Sequence, residues 1–305
     1  MITMKKIIFT FISMFSLFTS FGQQDAQTSM YFFNPLQFNS AYAGSREALT
    51  VTAVTRAQWI GWDGAPKTQF LSIHAPVLRK KIAIGATVNY DKIGARSGFD
   101  AMAHFAYHMQ LNKKDLKLSF GASAGVQQAQ FNFAGLNVTD VGDLNYQQSN
   151  SVVNSNFGLG LYLYNDNFYA GASIPRLLKR SFGSPTDNSF YQRHFNLMAG
   201  YVYKYNSVIA IKPSLLFKST ANAPASLDIN LSAQFYNQFW FGLLYRFHDA
   251  IGFNASYILK DFCTIGYAYD FPINGKLISQ WGSHELVISM DFKTRRNAYL
   301  SPRYF

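Results

Sequence analysis

Leu227-Asp-Ile-Asn-Leu-Ser-Ala-Gln-Phe235, then Tyr236-Asn-Gln238, then Phe239-Trp-Phe-Gly-Leu-Leu-Tyr-Arg-Phe247 is the stretch that decides the fold. The odd-numbered positions are apolar throughout: Leu227, Ile229, Leu231, Ala233 and Phe235, then Phe239, Phe241, Leu243, Tyr245 and Phe247. Several of the even positions between them are polar, among them Asp228, Asn230, Gln234 and Arg246. Period-two alternation on both sides of a short polar break predicts two antiparallel strands joined by a tight turn at Asn237.

The same pattern extends in both directions. Fourteen such segments follow residue 45, beginning with Leu49, Val51, Ala53, Thr55, Ala57 and Trp59 and ending with Leu286, Ile288, Met290 and Phe292. Between them, Ile82–Tyr90, Phe99–Tyr107, Leu116–Val126, Val153–Leu163, Phe195–Tyr203, Ile251–Leu259 and Cys263–Tyr269 are well marked. Leu71, Ile73 and Ala75 make a weaker strand two, Phe168–Ile174 a short strand seven, and Pro213 predicts a bulge in strand nine. The apolar face of all fourteen carries charge only at Lys67 and Arg193, both at strand ends. The other face holds Arg56, His104, Lys212, Asp228, Arg246, Asp270, Glu285 and Asp291, with many glycines.

Composition explains what such a sheet is for. Aromatics make up 17 % of the 305 residues and charged residues only 14 %, against the roughly 25 % charged of an ordinary soluble domain. A mean hydropathy of −0.04 is too polar for a bundle of membrane helices. A soluble β-sandwich or lipocalin-like barrel also alternates, but its water-facing surface would carry far more Lys and Glu. The expected fold is therefore all-β: a transmembrane antiparallel β-barrel of about fourteen strands, with lipid on the apolar face. Short periplasmic turns are expected at Pro76–Lys80, Asn112–Lys114, Asn165–Asp166, Tyr205–Asn206, Asn237 and Lys260–Asp261. Longer extracellular loops are expected at Gly61–Ala65, Lys92–Ser97, Gln128–Asn150, Pro175–Ser189, Ser219–Pro224 and Pro272–Gly282. Trp59, Tyr90, Tyr107, Phe168 and Tyr203 fit aromatic girdles at the interfaces.

The termini read separately. Lys5-Lys6, the apolar run Ile7–Phe21 and Gly22 have the layout of a signal peptide over residues 1–22, cleaved after Gly22 and directing the chain to the outer membrane. Removing Lys5 and Lys6 from 27 Lys and Arg leaves 25 against 16 Asp and Glu, a net +9, which suits an anionic lipid surface. Residues 23–45 are rich in aromatics (Tyr31, Phe32, Phe33, Phe38, Tyr42) but precede the first strand. They form a plug or a periplasmic segment, because a fourteen-stranded lumen is wider than its own side chains fill. The Gln128–Asn150 loop is a second candidate plug. The barrel occupies 46–293, and a basic tail follows over 294–305.

Several segments, taken in order, resemble one family. Asn39-Ser-Ala-Tyr-Ala-Gly44 is similar to its Asn-Pro-Ala-Tyr-Ala-Gly opening, with Ser40 in place of Pro. Arg56-Ala-Gln-Trp59 and Gly64-Ala-Pro-Lys-Thr68 resemble its Arg-x-Gln-Trp and Gly-Ala-Pro-x-Thr signature. Phe239–Gly242, Tyr245-Arg246, Ile265–Asp270, Gly282–Glu285 and Ser301–Phe305 complete the likeness. The family is PorP/SprF, outer-membrane proteins of Bacteroidota associated with type IX secretion and gliding. The resemblance implies a barrel that works with the secretion machinery, either securing secreted adhesins through their C-terminal domains or supporting export.

No catalytic constellation stands out, and no cofactor is expected. His104 and His108 would pair on a helix, but on a strand they lie about 13 Å apart, too far to share a metal. No nucleophile elbow or phosphate loop is present, so a lipid-modifying enzyme is the weakest reading. Cys263 reads as a small lipid-facing hydrophobe and leaves no disulfide framework. Partner contacts are expected at the outer rim: Arg56, Trp59, Trp62, Asp63, Asp91 and Arg96. Arg295, Arg296, Arg303, Tyr304 and Phe305 of the tail are expected to dock periplasmic components. The expected partners are an adhesin C-terminal domain, type IX secretion components, and outer-membrane lipid with lipopolysaccharide, and not nucleic acid. The competing class is a passive pore or small-molecule channel.

Overall fold

The computed structural model describes residues 27–77, 81–111, 116–132, 150–181, 190–220, 223–260, 262–273 and 281–292. Fourteen antiparallel strands form one closed sheet. They are β1 Leu49–Ala57, β2 Lys67–Pro76, β3 Ile82–Ile93, β4 Arg96–Gln110, β5 Lys117–Phe131, β6 Asn150–Tyr164 and β7 Phe168–Ile174. Next come β8 His194–Tyr201 (continued as Tyr203–Lys204), β9 Ile209–Thr220, β10 Ala223–Phe235 and β11 Phe239–Arg246. β12 Ala250–Leu259, β13 Cys263–Pro272 and β14 Ser283–Phe292 complete the set. Each strand pairs with its neighbour in the chain, and β14 returns to β1 with Phe292 opposite Leu49 and His284 opposite Ala57. Closure leaves no edge, so the ladder satisfies the backbone without water, as a lipid-embedded sheet requires.

The alternation read from the sequence is realised as two surfaces. Along β11, Phe239, Phe241, Leu243 and Tyr245 face outward and are exposed, while Trp240, Gly242, Leu244 and Arg246 face inward and are buried. β2 repeats this, with Thr68, Phe70, Ser72 and His74 inside. The turn after β10 has positive φ at both central residues, Tyr236 (52°) and Asn237 (56°), the I′ geometry that matches strand twist. Lys67 and Arg193 are exposed on the outer face at the end that carries the longer connections.

Three details differ from the sequence expectations. Strands β4, β5 and β6 each run to 15 residues, so β5 reaches Phe131 and β6 begins at Asn150, inside the expected long loop. The rest of that loop, as a candidate plug, lies outside the described residues. Pro213 does not bulge β9. Its register with β10 is unbroken there and shifts only between Lys218 and Thr220. The interruption falls instead in β8, whose pairs Gly200–Ser214 and Tyr203–Ile211 place Tyr201 and Val202 opposite Pro213 and Lys212. Proline has no N–H to offer, so the partner strand loses its ladder while the register passes through unchanged. Finally, Cys263 lies on the outward side of β13 but is 5 % exposed, covered rather than open to lipid. A two-residue hairpin, Arg180–Ser181 with Phe190–Tyr191, stands apart from the barrel sheet in the β7–β8 connection.

Candidate functional site

Residues 27–48 lie inside the barrel. Asn34, Pro35 and Asn39 prevent a continuous helix, and the segment folds as three single 3-10 turns, Tyr31–Phe33, Pro35–Gln37 and Ser40–Tyr42. The Asn39 side chain caps the last of them by accepting from the Ala41 N–H at 2.9 Å. Met30, Tyr31, Phe32, Leu36, Phe38, Ala41 and Tyr42 form one buried cluster with inward side chains of the strands, including Val54, Phe70, Tyr162, Tyr169, Leu216 and Val287.

One end of the segment is held by charge. Arg56 of β1 donates to Glu285 Oε2 (3.0 Å), Asp270 Oδ2 (2.7 Å) and Ser29 Oγ (2.7 Å). Arg246 of β11 donates through Nε to Asp228 Oδ1 (3.1 Å), and its Nη1 reaches Asp270 Oδ2 at 3.4 Å. The Glu285 carboxylate accepts the backbone N–H groups of Ser29 (2.7 Å) and Met30 (2.8 Å), and Ser29 Oγ donates to Asp270. Arg246 Nη2 also donates to the Thr28 carbonyl at 3.4 Å. Two guanidinium groups and three carboxylates thus grip the chain at Thr28–Met30. All five are at most 2 % exposed, so removing either guanidinium leaves buried carboxylates uncompensated.

The middle is held by close approach. Asn39 Nδ2 donates to the Leu161 carbonyl of β6, and the Phe38 carbonyl accepts from Ser173 Oγ of β7 at 2.8 Å. A Cβ at Gly121 of β5 would overlap the backbone of Ala41, and one at Gly160 of β6 would overlap the Asn39 side chain. At the opposite end Gly44 turns with φ 75°, and its N–H donates to His74 Nδ1 at 3.0 Å. His108 Nε2 bonds the Ala43 carbonyl at 2.8 Å, while its Nδ1 bonds the Tyr164 hydroxyl at 3.0 Å. Lys117–Glu47 (2.5 Å) and Arg46–Asp291 (3.5 Å) complete this end. The segment therefore crosses the lumen from the long-loop end, where Arg56 and Arg246 sit, to the short-turn end, where β1 begins.

The rim carries a second feature. The connection after β1 is tied to the one before β14 by backbone bonds, Ile60 N to Gly282 O (3.0 Å) and Trp281 N to Ile60 O (3.2 Å). This presents Ile60, Trp62 and Trp281 outward, with Trp281 76 % exposed.

The expected contact residues separate into three places. Trp62 and Asp63 are exposed at the rim, and Trp59 is half-buried beside them with its backbone N–H donating to Ser283 Oγ at 3.3 Å. Asp91 and Arg96 are half-buried and line a cavity at the same end, Asp91 accepting from Thr68 Oγ1 at 2.5 Å. Arg56 is not at the surface at all. It shares the inward face of β1 with Thr52 and Val54, so strand period alone turns it into the lumen. Arg295, Arg296, Arg303, Tyr304 and Phe305 lie outside the described residues. Sequence reading placed Arg246, Asp270 and Glu285 on the polar face without seeing that they converge. Trp281 was missed, although an aromatic next to glycine in a connecting loop could have marked it.

Among solved structures the fold is similar to other outer-membrane barrels. The toluene transporter TodX of P. putida is 11 % identical with a TM-score of 0.50, over 88 % of this chain and 95 % of that one. The outer membrane protein Omp33 of Acinetobacter baumannii is 9 % identical with a TM-score of 0.47, over 81 % of this chain and all of the other. At these identities the likeness extends to the fold alone. No curated protein matches the chain. A family model, described as "Type IX secretion system membrane protein PorP/SprF", matches residues 20–290, which take in the lumen segment and every barrel strand up to most of β14. With a closed fourteen-stranded barrel and nearly its whole length matched, the chain belongs to the PorP/SprF family of type IX secretion system membrane proteins, a placement that implies the outer membrane.

Proposed function

We propose that this protein is a non-enzymatic barrel that secures a secreted adhesin, through its C-terminal domain, on the long-loop face of the outer membrane. The observation that carries this reading is the lumen. A segment of the chain itself crosses it, fixed at one end by hydrogen bonds to a buried ion-pair cluster, at the other by the Arg46–Asp291 and Lys117–Glu47 pairs, and in the middle by backbone contact. A lumen committed in this way suits a rigid platform and ill suits a passive pore. The paired rim loops supply the binding surface, with Trp62 and Trp281 as rigid aromatic anchors of the kind that dominate interface energies.

Co-purification from the native outer membrane tests it. A secreted protein should be recovered in stoichiometric amount with the wild-type barrel. Trp62→Ala combined with Trp281→Ala should lower that recovery at least about tenfold, equivalent to losing one modest hot spot, while heat-modifiable gel migration stays wild-type. Recovery unchanged by the double substitution would contradict the reading.

A further inference from the structure

Between the lumen segment and the walls of β2–β5, β8 and β9, a cavity lined by both polar and apolar side chains, about 110 Å³ in volume, opens toward the long-loop end. Its lining collects an unusual set of side-chain atoms with no hydrogen-bond partner among the described residues: Asn34 Nδ2, Gln37 Oε1, Ser40 Oγ, Asn89 Oδ1, Asp100 Oδ1 and His104 Nδ1. Asn34, Ser40, Asp100 and His104 are each at most 9 % exposed. Their other polar atoms are fixed. Asn34 Oδ1 accepts from Ser72 (2.8 Å), His104 Nε2 bonds Thr87 Oγ1 (2.9 Å), and Asp100 Oδ2 accepts from Arg176 (2.9 Å). The residues that carry these atoms line one common space, and buried polar groups are ordinarily satisfied.

The chemistry of the set selects the ligand. Three free atoms are pure acceptors, one of them a carboxylate oxygen, so they offer an anion no donor. Arg96, Arg176 and Lys218 border the same space and disfavour a cation. A neutral molecule with several hydroxyls satisfies acceptors and donors alike, since each hydroxyl does both. Phe38 and Phe70 in the lining offer apolar rings to its C–H face. The space exceeds several times what a single water needs, and it suits one pyranose ring. We propose that this cavity binds a single neutral pyranose residue presented from the long-loop side. Two sources share that chemistry, the outer-leaflet lipopolysaccharide and a glycan on a secreted protein. The inference stands independently of the anchoring role.

Saturation-transfer NMR on the full chain in detergent tests it. The probes are methyl pyranosides of common hexoses and N-acetylhexosamines, and the oligosaccharide released from lipopolysaccharide of the native membrane. At least one should receive saturation at millimolar concentration, and Asn89→Leu or Gln37→Ala should weaken it about tenfold with unchanged melting. Binding of the lipopolysaccharide oligosaccharide assigns the lipid source, and binding of the simple pyranosides alone assigns a secreted glycan. No transfer to any sugar from a protein of wild-type melting would overturn the proposal. So would equal binding by both variants, or acetate or sulfate binding in place of sugar.

Discussion

Arg56 and Arg246 answer the same problem from neighbouring parts of the wall. Each is an inward residue near the long-loop end of its strand, and each meets one carboxylate from the adjacent strand (Glu285 or Asp228) and shares Asp270 of β13 with the other. Removing one partner strands the others in a site with almost no solvent access. Arg246→Ala should therefore destabilise the folded barrel by about 3–5 kcal/mol, read from denaturant unfolding in detergent. It should also raise amide exchange at Ser29 and Met30, whose N–H groups bond Glu285 in the same cluster. Asp249, at 39 % side-chain exposure and 3.7 Å from Arg246, offers the internal comparison. Asp249→Ala should cost no more than about 1 kcal/mol. Equal losses for the two variants would show that burial is not what gives the cluster its weight.

At the level of the element, the glycines of β5 and β6 and the lumen segment are complementary surfaces. Gly121 leaves room for the Ala41 backbone, and the Asn39 cap fixes the turn that brings it there. Gly121→Val should leave the outward face and the strand pairing intact, because its neighbours across the ladder, Ala106 and Gly160, are small. It should expel the Ser40–Tyr42 turn, seen as new protease cleavage within residues 39–48 of an otherwise heat-resistant barrel. A protected segment in that variant would mean that the wall yields instead. The strands themselves were legible from period two, because lipid on one side and a polar lumen on the other impose opposite demands on successive residues. Pro213 shows where that reading stops. A sequence marks the residue that lacks an N–H, but the pairing decides which strand loses the bond, and here it is β8. Arg56 shows the same limit at the site. Its side was readable from the alternation, yet the rim motif around Trp59 and Trp62 drew it toward a surface role.

The whole molecule is a barrel wide enough to conduct and occupied by its own chain. Sequence alone pointed to something filling the lumen, since five aromatics before the first strand need a place to pack. It could not decide between that segment and the Gln128–Asn150 loop, because which carboxylates meet which backbone N–H groups depends on the closed sheet. Family membership places the protein with type IX secretion, and the proposed platform role rests on the segment that occupies the lumen. Single-channel recording in planar bilayers tests this most directly. The account predicts that the purified wild-type protein shows no steady conductance, and that Arg56→Ala with Arg246→Ala, by releasing Thr28–Met30, produces openings in the same membrane. A large, steady conductance from the wild-type protein would contradict it.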